Sequence, residues 1–168
     1  MEAIEAIMTR RSIRRYTGEQ VSPKLERKLL EAAMAAPSAH NRQPWHFIVV
    51  RNRETLDKIP EYHNYSKMLR EASLAVVVCG DNKVQTTDFW AQDCSAATEN
   101  ILVAANALGL GAVWLGVHPG KELVTKTRKL FGIPGHVTPL CIISVGHPAE
   151  EKPPGNRYDD SKVHGEKW

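Results

Sequence analysis

Two apolar runs, WHFIVV at 45–50 and LAVVVC at 74–79, constrain the fold of this chain more than any other feature. Neither alternates apolar with polar residues, so each reads as a strand covered on both faces. The second ends in the turn signal Gly80-Asp81-Asn82. AVWLGV (112–117) and TPLCIISVG (138–146) read as two further strands. A sheet covered on both sides needs helices, and the segments between the runs supply them.

Ile4, Ile7 and Met8 recur at helical spacing, and the pattern stops at an arginine cluster whose cations suit the carboxyl end of a helix. Ser22-Pro23 offers an N-cap followed by proline at the first helical position. The helix it opens carries Leu25, Leu29, Ala32, Ala33 and Ala36 on one face and stops at Pro37-Ser38. An alanine-rich stretch from about Thr87 to Leu108 ends at Gly109 and Gly111. Its small and apolar residues cover more of the circumference than one core-facing stripe requires, which predicts burial on several sides, centrally or in a subunit interface. A last helix carries Leu123, Thr127, Leu130 and Phe131 in phase, with Gly132 as its stop. The pattern alone leaves two classes open, parallel α/β and α+β.

The 168 residues suit one domain. Cys79, Cys94 and Cys141 form no C-x-x-C pair and read as buried free thiols, with no metal site. Lysine plus arginine number 22 against 19 aspartate plus glutamate, a balance too even for a dedicated nucleic-acid protein. The first residues lack the charge order of a signal peptide and no run is long enough to span a bilayer, so a cytoplasmic location is expected. From about 147 to 168 the chain is polar, proline-bearing and aperiodic, as in a tail ordered by docking on something.

Several chemistries drop out. The chain has no G-x-x-x-x-G-K-[ST] loop, no G-x-G-x-x-G after a strand, no H-E-x-x-H and no G-x-S-x-G. What remains are five irregular stretches at element ends: RRSIRRY (10–16), PSAHNRQPW (37–45), NYSKML (64–69), WLGVHP (114–119) and GNRY (155–158). Arginine, serine, asparagine and glutamine among small residues suit a flat, hydrogen-bonding ligand with an anionic tail. Guanidinium forks clamp phosphate, and hydroxyls with backbone amides complete its shell.

The order R-R-S-x-R-x-[YF], P-S-x-x-N-x-Q-P-W-x-F, N-x-x-K-M-L and a glycine-bearing strand after A-L-G-L-G resembles the short form of the FMN-dependent nitroreductase family. The resemblance runs from about residue 4 to Arg157. It implies an α+β fold, a mixed β-sheet packed between helices, in an intertwined homodimer whose C-terminal extension (about 147–168) docks on the partner subunit. Residues 1–168 would then be one FMN-binding domain.

By the same resemblance, Arg10, Arg11 and Ser12 hold the cofactor's phosphate and ribityl chain, and Arg157 returns to the phosphate from the tail. Arg14 and Lys67 lie at the pyrimidine edge of the flavin ring, Asn64 orients it, and the backbone of Leu115 and Gly116 passes N5. Pro37, Ser38, Ala39, Asn41 and Gln43 come from the other subunit. The family's second tail cation, two residues before Arg157, is replaced by Gly155, and the sequence leaves open whether Lys152 substitutes for it. The implied reaction is ping-pong: NADH or NADPH delivers hydride, and an electron-poor acceptor such as a nitroaromatic, quinone or activated alkene then removes it. No side chain acts as an obligatory acid or base. Related chemistry on the same fold, reductive dehalogenation or oxygen-dependent flavin cleavage, is the alternative. Tyr62, Tyr65 and Trp90 are candidates for an aromatic wall, and His40 and His118 for the pocket rim.

Overall fold

The computed structural model describes residues 1–168. Its centre is β2 (Leu74–Asp81), buried at every position but the last. β2 pairs antiparallel with β1 (Trp45–Val50) on one side and with β4 (Val137–Gly146) on the other, and β4 pairs antiparallel with β3 (Gly111–Gly116). The strand order is therefore β1-β2-β4-β3. The fold class is α+β. Within the chain the mixed character of the sheet reduces to one parallel bridge, Ser12 to Ala112.

The expectation of two covered faces holds for β2 and β4 but only partly for β1. Phe47, Ile48 and Val49 are half-buried and His46 is exposed. β1 is an edge strand paired on one side only, so its apolar composition outruns the cover this chain gives it.

Helices cover the two faces of the sheet. On one face α2 (Pro23–Met34) and α4 (Phe89–Ala107) bury Leu29, Ala33, Trp90, Cys94, Ala97 and Ile101 against Leu74, Val76, Val78 and Ile143. On the other, α3 (Arg53–Lys58), the turns after it and α5 (Lys121–Phe131) pack Leu56, Ile59, Leu69, Leu123 and Leu130 against Ala75, Val77, Leu115 and Ile142. All three cysteines are free and buried, as expected.

The local signals act where the sequence puts them. Ser22 accepts the Leu25 amide at the start of α2 at 3.3 Å. Gly132 ends α5 in the left-handed conformation at φ 63°. α4 is buried at Trp90, Asp93, Cys94, Ala97, Thr98, Ile101, Leu102 and Ala105, and it packs on the N-terminal helix, α2 and all four strands. That central position accounts for its broad apolar surface.

α1 (Ala3–Thr9) behaves differently. It buries only Ala6, while Ile4, Ile7 and Met8 are exposed, so its apolar stripe has no partner within the chain. No helix is long and apolar enough to cross a membrane.

Candidate functional site

The C-terminal end of β3 and the segment from His63 to Met68 form the two walls of a cavity of about 630 Å³. Arg14, Asn64, Lys67, Leu115 and Gly116 all line it, together with His63, Tyr65, Met68, Trp114 and Leu123. Five residues singled out from three separate stretches of sequence thus share one space. Two cations face it and no carboxylate does, so the field inside favours electron-rich groups. A Cβ added at Gly116 would meet nothing within 4 Å, which leaves the strand end open for close approach of a flat ligand to the backbone.

Arg14 is positioned through its backbone. Its amide donates to Glu150 Oε1 at 2.5 Å. The amide of Ala149 donates to the Arg15 carbonyl at 2.9 Å, and Tyr16 bridges Pro148, so the start of the tail is laced to the arginine segment. The Arg14 amide holds the Glu150 carboxyl below its ordinary value of 4.5, burial opposing and Lys152 assisting. Lys152 Nζ in turn donates to the Ser12 carbonyl at 2.7 Å and lies 3.1 Å from Glu150. Lys152 is therefore tied to Ser12.

Arg10 and Arg11 line a second cavity of about 280 Å³ with Gly155 and Arg157. Arg11 donates to the Pro153 carbonyl, and Arg10 lies 3.3 Å from Glu99. The tail thus brings Arg157 back beside the N-terminal arginines across some 145 residues of sequence. Arg15 is exposed and lines neither cavity.

Pro37, Ser38, Ala39, Asn41 and Gln43 line neither space. They form a loop in which His40, Asn41 and Gln43 all have positive φ, at 53°, 52° and 49°. Non-glycine residues adopt that conformation only under compensation, and each costs on the order of 1 kcal/mol or more. The compensation is a lattice of hydrogen bonds. Asp93 Oδ1 accepts the Ala39 amide at 2.9 Å, Ser38 Oγ accepts the Gln43 amide at 2.9 Å, and Gln43 Nε2 donates to Asn41 Oδ1 at 2.8 Å. Gln85, fully buried, donates to Asp93 Oδ2 at 3.3 Å. Asp93 and Gln85 carried no signal in the sequence, because their partners lie in a distant loop.

The aromatic candidates divide. Tyr65 is 82% exposed and lines the larger cavity. Tyr62 instead bonds Thr127 at 3.2 Å, and burial pushes its phenol up. Trp90 is buried, with its ring edge-on to His118 at 4.9 Å. His63 was not singled out from sequence, yet it is buried and its Nε2 lies 2.9 Å from the Gly116 carbonyl oxygen.

With this geometry established, the likeness to known proteins is specific. The Nitroreductase family model matches residues 7–64 and 60–147. A protein of Methanothermobacter thermautotrophicus, whose name pairs NADH dehydrogenase with NAD(P)H nitroreductase, is 52% identical over all of this chain and 88% of its own. A crystal structure from Parabacteroides distasonis, named in the same way, superposes with a TM-score of 0.96 at 40% identity, covering 99% of this chain and 98% of that one. A Desulfovibrio desulfuricans structure, described as a nitroreductase in complex with FMN, gives a TM-score of 0.86 at 33% identity over 100% of this chain and 98% of its own. The chain belongs to the nitroreductase family.

Proposed function

We propose that this chain is an FMN-dependent oxidoreductase that takes hydride from NADH or NADPH and passes it to an electron-poor acceptor in a ping-pong cycle. The observation that carries the reading is the cavity at the end of β3. Arg14 and Lys67 face it with no carboxylate among its lining, and Gly116 opens its wall. Family membership and the FMN complex of the Desulfovibrio desulfuricans neighbour support the cofactor. Bound FMN would supply hydride acceptance and donation at N5.

The chain's own residues would bind and orient. Arg14 and Lys67 would place positive charge at the pyrimidine edge, where electron density accumulates on reduction. Asn64 would orient the ring by hydrogen bonding, and the Leu115–Gly116 backbone would lie against it. Arg10, Arg11 and Arg157, with the neighbouring Ser12, would hold the phosphate, clamped by guanidinium forks. No side chain needs to move a proton as an obligatory step. The acceptor class is the nitroaromatics, quinones and activated alkenes.

A second copy of the chain would complete the site. The 37–43 loop is pre-shaped yet lines neither cavity, and Ile4, Ile7 and Met8 of α1 lie exposed beside the arginine segment. Both observations fit a homodimer in which each loop reaches the other chain's cofactor; residues 149–153 of the tail bond the chain's own 11–15 segment, and the exposed stretch beyond Arg157 is the part that would extend across the partner. Stopped-flow mixing of FMN-loaded protein with NADH or NADPH, followed by an acceptor panel that includes oxygen, tests the reading. Bleaching of the flavin by a pyridine nucleotide and its return on adding acceptor are expected. A flavin that neither nucleotide bleaches would overturn it.

A further inference from the structure

His63 links the two walls of the larger cavity. Its backbone is held in place from both sides: the His63 amide donates to the Ile59 carbonyl at 3.0 Å, and the His63 carbonyl accepts from the Ser66 amide at 3.0 Å and from Ser66 Oγ at 2.7 Å. The side chain is only 3% exposed, and it crosses to β3, where Nε2 lies 2.9 Å from the Gly116 carbonyl oxygen. A carbonyl can only accept, so Nε2 carries the hydrogen. Nδ1 is buried with no partner in the structure. A structural histidine in a core is ordinarily satisfied at both nitrogens or exposes one to water. This one leaves a polar atom unmatched while keeping a single bond, the one that reaches across the cavity.

We infer that His63 is a positioning residue for the flavin reaction. Its Nε2–H fixes the carbonyl of Gly116 and so the plane of the Gly116–Val117 peptide, while its backbone fixes the neighbouring Asn64. That hydrogen bond ties the strand end at Gly116 directly to the segment that carries Asn64 and Lys67. The other side of that peptide is held by the Val117 amide, which donates to the Leu140 carbonyl at 3.0 Å, so His63 adds the second bond on it, the one that comes from the 63–68 segment. The inference rests on the proposed FMN site. It adds a residue that touches neither phosphate nor ring edge and acts through the two groups it ties.

The test uses full-length protein loaded with FMN in three forms: wild type, His63→Gln and His63→Phe. Glutamine places an amide N–H near the position of Nε2, whereas phenylalanine keeps the ring's bulk and removes the donor. Three quantities are read: the FMN dissociation constant from fluorescence quenching, the visible absorption of bound flavin, and the rate of flavin reduction by NADH. Thermal melts of the apo forms report folding separately. His63→Phe is expected to slow reduction and weaken FMN binding by about tenfold each, the scale of one lost buried hydrogen bond, with a displaced flavin band. His63→Gln is expected to stay within about twofold of wild type. His63→Phe matching wild type in all three would overturn the inference, as would His63→Gln losing as much as His63→Phe. Wild-type protein that takes up no FMN would instead overturn the site reading beneath it.

Discussion

The amide of Ala39 donates to Asp93 Oδ1 at 2.9 Å, tying a loop after α2 to the first turns of α4 across 54 residues. Asp93 is 6% exposed, and its second oxygen is engaged by Gln85. A buried carboxylate spent on one backbone amide makes sense if the conformation it holds is needed, and that conformation contains three non-glycine residues at positive φ.

Asp93→Ala should therefore release the loop and weaken FMN binding by about tenfold, because a bond to a charged acceptor is worth roughly 1.5–3 kcal/mol. Asp93→Asn keeps an acceptor oxygen and should retain most of the affinity. Fluorescence titration with FMN measures both. Unaltered binding in Asp93→Ala would show that the loop does not reach the cofactor.

Arg14→Ala should make bound flavin harder to reduce. Removing a cation beside the ring is worth a few kcal/mol at most, and about 30 mV corresponds to about 1.4 kcal/mol for a two-electron couple, so a fall of tens of millivolts is expected. Reductive titration against a reference dye reads it. Lys67→Ala should shift the potential in the same direction.

Gly80→Ala tests the packing of β2 on α4. The new Cβ would stand 2.4 Å from Cε3 of Trp90, a buried ring with little room to retreat. A loss of about 1–3 kcal/mol and a melting temperature several degrees lower are expected.

Glu150 gives the pH dependence a sign. Its carboxyl is lowered chiefly by the Arg14 amide, so the folded state holds this proton less tightly than the unfolded chain does. Its contribution is thus present above the ordinary value of 4.5 and is lost as pH falls through the lowered one. Stability should decline on acidification below about pH 4.5, with Glu150→Gln showing a shallower decline, in thermal melts across that range.

Much of this fold was legible because its signals are local. Ser22-Pro23 caps α2, Gly132 stops α5, and the four apolar runs became the four strands. α3 escaped notice, although Asn52 caps it by accepting the Thr55 amide at 2.9 Å, because six residues are too few to show a periodicity. The cavity residues Arg14, Asn64, Lys67, Leu115 and Gly116 were found through motif order. The residues that hold them were not. His63, Asp93, Gln85 and Glu150 each reach a backbone atom 46 to 136 positions away, and no spacing rule encodes such a bond.

Uptake of FMN is the property on which the proposed site most directly depends. Protein freed of flavin and titrated with FMN should quench the flavin's fluorescence and saturate at about one FMN per chain. Protein that leaves the fluorescence unchanged at every ratio would contradict it.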